Sequence, residues 1–137
     1  MLVAHVVDPQ PGELILDCCA APGGKSMHMA SLMNNTGAIM SCDIYDHKLE
    51  LINQNAERLG VSIISTKLQD GRYLPDNWKE QFDRVLVDAP CSGLGILQKK
   101  LDMRWRKTES LLIELPPLQL EILEKASEMV KVNGHLV

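Results

Sequence analysis

Residues 88–93, Asp-Ala-Pro-Cys-Ser-Gly, bring a carboxylate and a thiol together where the backbone is constrained. They follow residues 84–87, whose β-branched and aliphatic side chains predict a short buried strand. Pro90 fixes its own φ and restricts the residue before it, while Gly93 lets the chain turn away. Asp88 and Cys91 are therefore expected on a stiff corner at a strand end, where a thiol is a candidate nucleophile.

The composition is that of one soluble globular domain. The chain has 137 residues, of which 45% are hydrophobic and 23% are charged. It has no apolar run as long as a membrane span and no basic-then-apolar leader. The four cysteines include no Cys-x-x-Cys pair and no nearby histidine at ligand spacing. We therefore expect no metal site and no disulfide framework, but reduced thiols in a cytoplasmic protein.

Charge is distributed unevenly along the chain. The net charge is −4, yet residues 98–107 hold five Lys/Arg against one Asp, so that the remainder carries −8. Cationic side chains interleaved with a tryptophan suit phosphate contacts and base stacking, whereas a solvated loop with the tryptophan buried is the alternative. The candidate RNA-binding residues are Lys99, Lys100, Arg104, Trp105, Arg106 and Lys107.

Strand-like and helix-like segments alternate, which predicts an α/β fold with a doubly wound, mostly parallel sheet. The predicted strands are residues 13–17, 38–42, 61–66, 84–87 and 134–137. The predicted helices are residues 26–33, residues 46–59 with Asp46 as N-cap, a short helix after Thr108, and residues 118–130 beyond a break at Pro116-Pro117. Ligands of such sheets bind outside the carboxyl ends of the strands. Four acidic residues fall at those ends: Asp17, Asp43, Asp70 and Asp88.

A turn rich in small residues joins the first strand to the first helix. Its Gly-Lys-Ser string at residues 24–26 is typical of a phosphate-binding loop, but that motif needs glycine where Cys19 stands. The dinucleotide fingerprint Gly-x-Gly-x-x-Gly is absent as well. Asp43 occupies the place where a nucleotide-binding fold puts a carboxylate on ribose hydroxyls. The alternative is a plain loop, with Asp43 beside a helix start.

Residues 17–25, Asp-Cys-Cys-Ala-Ala-Pro-Gly-Gly-Lys, together with residues 88–93, resemble the RNA cytosine-C5 methyltransferases of the Sun/Fmu type, closest to the bacterial small-subunit ribosomal enzymes. The resemblance implies a Rossmann-like class I methyltransferase core over residues 1–137, with S-adenosylmethionine as cofactor and ribosomal RNA as partner. On this expectation the chain is truncated at the fifth strand and lacks an upstream RNA-binding region. The full-length protein is expected to be a monomer.

The same resemblance implies roles for individual residues. Asp43 would bind the ribose hydroxyls, Asp70 would lie beside the adenine, and Asp88 would lie near the methionine amino group. A carboxylate can also accept from the N4 amino group of cytosine, which gives Asp88 a second candidate role. The methionine end would be lined by Cys19, Ala20, Ala21, Pro22, Gly23, Gly24 and Lys25.

In the family that the chain resembles, two cysteine thiols have separate catalytic roles. The attacking thiol belongs to a Thr-Cys motif just after the fifth strand, whereas the Pro-Cys thiol, here Cys91, assists release of the methylated RNA. No Thr-Cys pair occurs in this sequence. We therefore expect the chain to bind cofactor but to turn over poorly or not at all. A nicotinamide-dependent oxidoreductase and a non-catalytic RNA-binding module remain alternatives.

Overall fold

The computed structural model describes residues 2–91 and 110–137. The helices are α1 (Leu2–Val7), α2 (Gly24–Leu32), α3 (Asp46–Leu59) and α4 (Ser110–Ser127). The strands are β1 (Leu14–Asp17), β2 (Ala38–Asp43), β3 (Ile64–Leu68), β4 (Phe82–Leu86) and β5 (Val130–Leu136). Within the described ranges, no helix has both the length and the apolar character that crossing a membrane requires.

The strands form one sheet in the order β3-β2-β1-β4-β5, and every neighbouring pair is parallel. Leu16 at the centre of the sheet is in register with Met40 of β2 and with Val85 of β4. The α/β fold with a doubly wound parallel sheet is therefore confirmed. The chain order reverses at β1, and in such sheets this switch point is where ligands bind.

Hydrophobic side chains pack on both faces of the sheet because neighbouring residues of a strand point in opposite directions. Ile15 packs on one face with Met29 of α2 and with Met33, which directly follows that helix. Leu16 packs on the other face with Ile122 of α4 and with Met129. Met27, Met29 and Met33 recur at helical spacing, and all three are buried in the core. Because hydrophobic side chains cover both faces of the sheet, the polar site residues are expected at the strand ends.

A buried ion pair stabilises the amino end of the sheet, opposite the predicted site. The guanidinium of Arg84 on β4 donates to the Glu13 carboxylate at 3.1–3.2 Å and to the Val7 carbonyl at 2.8 Å. Arg84 is buried, and a buried charge must be paired to avoid a large desolvation cost. This network connects α1, β1 and β4 below the site.

The predicted break at Pro116-Pro117 is wrong, because α4 runs without interruption from Ser110 to Ser127. Proline has a φ compatible with a helix, and each of these residues removes only one N–H donor. Both prolines are exposed, so water can reach the backbone around them. Ile122 and Ala126 are buried against the sheet and hold the helix in place. Thr108 lies outside the described residues.

Several element boundaries also differ from the prediction. β3 begins at Ile64, because Gly60 ends α3 with φ +67° and the Val61 N–H still donates to the Ala56 carbonyl at 2.8 Å. The predicted helix over 118–130 is too long, since α4 ends at Ser127 and β5 already starts at Val130. The N-cap of α3 is Tyr45, and Asp46 is instead the first helical residue.

Candidate functional site

A cleft of about 200 Å³ opens at the carboxyl edge of the sheet. Its floor comes from the segments that follow β1, β2 and β3, and α4 closes one side. The polar lining includes three predicted site residues, namely Cys19, Asp43 and Asp70. The remaining lining residues are Cys18, Ile44, Tyr45, Lys48, Gly71, Arg72, Pro90, Leu118 and Ile122.

The turn between β1 and α2 is stiff and closely packed. The Ala20 N–H donates to the Cys42 carbonyl at 2.8 Å, and the Gly23 N–H donates to the Ala20 carbonyl at 2.7 Å. The Ala21-Pro22 peptide bond is cis. Gly23 has φ +96°, and a Cβ there would lie 3.1 Å from the Ile52 side chain. Both its conformation and its contact with α3 therefore favour glycine.

An ion pair joins the two segments on which the family resemblance rests. Lys25 in the first turn of α2 donates to a carboxylate oxygen of Asp88, just beyond β4. The two residues are 63 positions apart in the sequence. Lys25 therefore has a specific carboxylate partner from a distant part of the chain.

Asp17 is fully buried at the end of β1 and anchors a chain of hydrogen bonds. Ser26 Oγ donates to Asp17 Oδ2 at 2.7 Å, and Ser41 Oγ donates to Ser26 Oγ at 2.9 Å. Oδ1 of Asp17 has no hydrogen-bond partner among the described residues. Burial raises the pKa of Asp17 from 3.8 to about 6, against the opposing effects of the Ser26 hydrogen bond, the Cys19 backbone N–H and Lys25.

The hydrogen bonds that link Asp17, Ser26 and Ser41 were not predicted from the sequence. A strand-end aspartate was the only available signal, because neither burial nor serine partners on two other elements can be seen from local pattern.

Asp43 lies at the end of β2 with its carboxylate at the edge of the cleft. Its Oδ1 accepts from the Tyr45 backbone N–H at 3.1 Å and lies 3.9 Å from Lys48 Nζ. The hydrogen bonds among the described residues use only this one oxygen of Asp43. A carboxylate in this arrangement can still accept from a donor within the cleft.

Asp70 follows β3 and is held by a neighbouring residue. Arg72 donates to it from the backbone N–H at 2.9 Å and from the guanidinium at 2.7–3.2 Å. The Arg72 hydrogen bonds hold the pKa of Asp70 below its usual value. Asp70 is therefore an ionised acceptor with a fixed orientation, and Arg72 is a cleft residue that the sequence did not single out.

The four cysteines, all within the described ranges, differ sharply in environment. Burial, followed by the charges of the carboxylates around it, raises the pKa of Cys19 to about 12. Burial also raises the pKa of Cys42 to about 12 and that of Cys18 well above its usual value. The prediction that Cys18 and Cys42 are small buried hydrophobes is confirmed. Cys91 is the one exposed thiol.

The carboxylates that raise the pKa of Cys19 are the four that follow the strands: Asp17, Asp43, Asp70 and Asp88. We call this set the acidic ring. The structure thus brings the strand-end residues together as the parallel topology predicted. The candidate RNA-binding residues 99–107 lie outside the described residues.

The family described as 16S rRNA methyltransferase RsmB/F matches this chain over residues 4–137. The chain belongs to that family. It is 47% identical over 138 residues to the probable ribosomal RNA small subunit methyltransferase B of Bacillus subtilis, a match that covers 100% of this chain and 31% of the relative. It is 40% identical over 148 residues to the human tRNA (cytosine(72)-C(5))-methyltransferase NSUN6, covering 99% of this chain and 31% of that protein.

A solved structure supports the same assignment. The crystal structure of NSun6 from Pyrococcus horikoshii with SFG superposes with a TM-score of 0.88 at 31% identity, covering 98% of this chain and 34% of that one. The Rossmann-like methyltransferase fold is therefore confirmed. The chain spans about a third of the length of the curated relatives that it matches.

Proposed function

We propose that residues 1–137 form the S-adenosylmethionine-binding core of an enzyme that methylates C5 of cytosine in ribosomal RNA. The observation that carries this proposal is the cleft at the carboxyl edge of the sheet, which Cys19, Asp43 and Asp70 line beside a turn of small residues. The cofactor has a positively charged sulfonium and an ammonium group, which carboxylates attract. SFG, found with the Pyrococcus horikoshii relative, is an analogue of S-adenosylmethionine.

The turn after β1 disfavours a nicotinamide dinucleotide, which carries an anionic pyrophosphate. The cleft offers no glycine fingerprint whose backbone N–H groups would bind those phosphates. Lys25, the cation at the start of α2, is already paired with Asp88. The oxidoreductase alternative therefore lacks the glycine-rich loop that it requires.

Of the residues assigned to S-adenosylmethionine, Cys19, Asp43 and Asp70 line the cleft. The turn from Cys19 to Lys25 would hold the methionine end, and Asp43 would accept from the ribose hydroxyls. Asp70 would lie beside the adenine, against an apolar wall that includes Leu118 and Ile122. Asp88 would lie near the methionine amino group. When bound, the cofactor supplies a methyl group activated by attachment to a cationic sulfur.

Methylation of C5 requires that the cytosine ring be made nucleophilic first. A thiolate that adds at C6 gives C5 enamine character, so that C5 can attack the activated methyl group. A base then removes the C5 proton, and the thiolate leaves C6. Asp88 would accept from the cytosine N4 amino group, which would select this base. Cys91, the exposed thiol, would assist release of the methylated RNA.

The thiols of this chain suggest how it behaves by itself. Cys18 and Cys42 are buried and Cys19 is partly buried. All three have raised pKa values, which makes them unsuited to attack because the thiolate is the nucleophile. Cys91 is assigned to release. We therefore expect cofactor binding without efficient methyl transfer. Incubation with cytosine-containing RNA and radiolabelled S-adenosylmethionine tests this, and transfer at rates typical of enzymes would contradict it.

Cofactor binding is tested by calorimetry with S-adenosylhomocysteine and NAD. We expect S-adenosylhomocysteine to bind more tightly, and Asp43→Asn to weaken it about 10- to 100-fold through loss of hydrogen bonds to a charged group. The matched control is Asp46→Asn, because Asp46 is exposed in the first turn of α3. Tighter binding of NAD would contradict the proposal.

The remaining alternative, a non-catalytic RNA-binding module, makes a different prediction. It predicts no binding of S-adenosylhomocysteine, and RNA affinity that is lost when the lysines and arginines between residues 99 and 107 are neutralised. Gel-shift titrations with those variants, run beside the calorimetry, separate the two.

A further inference from the structure

We propose that Arg72 is a positioning residue for recognition of the cofactor base, because it holds the Asp70 carboxylate so that one oxygen accepts from an exocyclic amino group. Because Asp70 meets the base only if the cleft binds S-adenosylmethionine, the role of Arg72 rests on the proposed function. It extends that function by naming the residue that makes the cleft choose adenine over hypoxanthine.

The contact between Arg72 and Asp70 is a forked pair. Oδ1 of Asp70 accepts from the Arg72 backbone N–H at 2.9 Å and from Nε at 3.1 Å. Oδ2 accepts from Nη2 at 2.7 Å and, at a longer distance of 3.2 Å, from Nε. Such forks fix the plane of a carboxylate as well as its charge.

The number of acceptor directions left on Asp70 decides which base fits. An ionised carboxylate offers about four such directions, two on each oxygen. The hydrogen bonds of the described residues fill both directions on Oδ1 and, counting the shorter contact, one on Oδ2. One direction on Oδ2 remains. An adenine 6-amino group can donate to it, whereas the 6-oxo group of hypoxanthine would place two acceptors against each other.

Packing under α4 holds the Arg72–Asp70 pair at the cleft. Asp70 precedes a short 3-10 turn, Gly71–Tyr73, and both Gly71 and Arg72 line the cleft with Ile122 of α4. A Cβ on Gly71 would lie 3.1 Å from the Ile122 side chain, so the turn lies directly against the helix. The Gln69 side-chain amide donates to the Tyr73 carbonyl at 2.8 Å and closes the turn from the other side. The backbone of Asp70 therefore has little freedom, and Arg72 removes the freedom of its side chain.

A purely structural role would have a different signature. If the pair served only to stabilise the turn, loss of Arg72 would lower the affinity for every ligand of the cleft equally. If it orients Asp70, loss of Arg72 changes the preference between two ligands that differ only at the base. The ratio of the two affinities is the decisive measurement, because shared contacts to the ribose and to the amino-acid end cancel.

The experiment measures binding of S-adenosylhomocysteine and S-inosylhomocysteine to the 137-residue chain by calorimetry. Wild type is expected to prefer the adenine compound about 10- to 100-fold. A site whose acceptor is matched to an amino group of the ligand binds a ligand without that donor more weakly. Arg72→Gln should reduce that ratio about 5- to 10-fold, and Arg72→Lys should reduce it less because the charge remains without the fork. Arg58→Gln is the matched control, since Arg58 donates to Asn55 on the surface of α3.

Each outcome is decisive. An unchanged ratio in both Arg72 variants, equal binding of both compounds by wild type, or the same reduction in Arg58→Gln would overturn the role of Arg72. If wild type binds neither compound, the proposed function itself fails, and the role of Arg72 fails with it. Thermal unfolding is recorded for each variant, and if Arg72→Gln does not fold, the Arg72→Lys ratio decides.

Discussion

Replacing Asp17 with asparagine is expected to remove a pH-dependent destabilisation of this fold. Asp17 is fully buried, and its pKa of about 6 in the folded chain compares with a usual value of 3.8. A carboxyl whose folded-state pKa is raised stabilises the fold while it is protonated and loses that stabilisation as the pH rises through the folded-state pKa. The loss therefore falls between about pH 4 and pH 7.

The difference between these pKa values sets the size of the effect. At about 1.4 kcal/mol per pKa unit, the ionised Asp17 side chain destabilises the folded chain by about 3 kcal/mol near pH 7. An asparagine at this position would not titrate, although its amide N–H could lack a partner where Oδ1 of Asp17 already has none among the described residues. The unpartnered amide changes the stability of the variant equally at every pH. The pH dependence of the stability therefore reports the titration of Asp17 alone, which the stability at one pH does not.

The assay is urea unfolding of wild type and Asp17→Asn across the range from about pH 4 to pH 7. The stability of Asp17→Asn relative to wild type should rise by about 2 to 3 kcal/mol over this range. Taking the difference between the two proteins removes the contributions of other titrating groups, such as Asp70, whose lowered pKa acts in the opposite direction. Asp46→Asn is the control and should differ from wild type by less than about 0.5 kcal/mol throughout.

A difference between wild type and Asp17→Asn that does not vary with pH would refute this reasoning. It would mean that Asp17 has the same pKa in the folded and unfolded states, and hence that water or another group compensates its burial. Ser26→Ala provides an independent check. Removing the hydroxyl that donates to Asp17 should move the transition to higher pH, because that hydrogen bond lowers the pKa.

Two further predictions concern the thiols and a glycine. At about pH 8 one thiol per folded chain, Cys91, should react with iodoacetamide, and all four should react after unfolding. Cys18 and Cys42 are buried, and the partly buried Cys19 has a pKa raised to about 12. Mass spectrometry after digestion would contradict this if Cys19 were also labelled in the folded chain. Gly37→Ala should destabilise the chain by at least about 2 kcal/mol in urea, because φ is +114° and a Cβ would lie 2.5 Å from the Glu13 carbonyl oxygen. Gly12→Ala is its control, with φ +90° but no atom within 4 Å, and an equal loss in both variants would show that the contact is harmless.

Much of the fold could be predicted because the local pattern of apolar and polar residues determines the strands and helices. Runs such as residues 13–17 and 84–87 are apolar and strand-like, and their alternation with helical segments leaves few topologies other than a parallel sheet. The errors arose where propensity competes with packing. Pro116-Pro117 looks like a helix break in isolation, but Ile122 and its buried neighbours hold α4 as one helix.

The candidate site was likewise predictable only in part. Its residue types and their places at the strand ends, including Asp43, Asp70 and Asp88, were visible in the sequence. Their states were not, because burial and charge depend on residues brought together from distant elements. The pairing of Lys25 with Asp88 spans 63 positions, and the raised pKa values of Asp17 and Cys19 come from the enclosed edge of the sheet.

The sequence by itself determined that strands ending in carboxylates converge on a turn of small residues, since parallel strands place their carboxyl ends at one edge. Only the tertiary structure decided the chemistry of the corner at Asp88 and Cys91. Desolvation raises the pKa of Cys19, Lys25 pairs with Asp88, and Cys91 is the exposed thiol. The physical reason is that solvent access and electrostatic partners belong to the folded arrangement, whereas hydrophobic periodicity belongs to the chain.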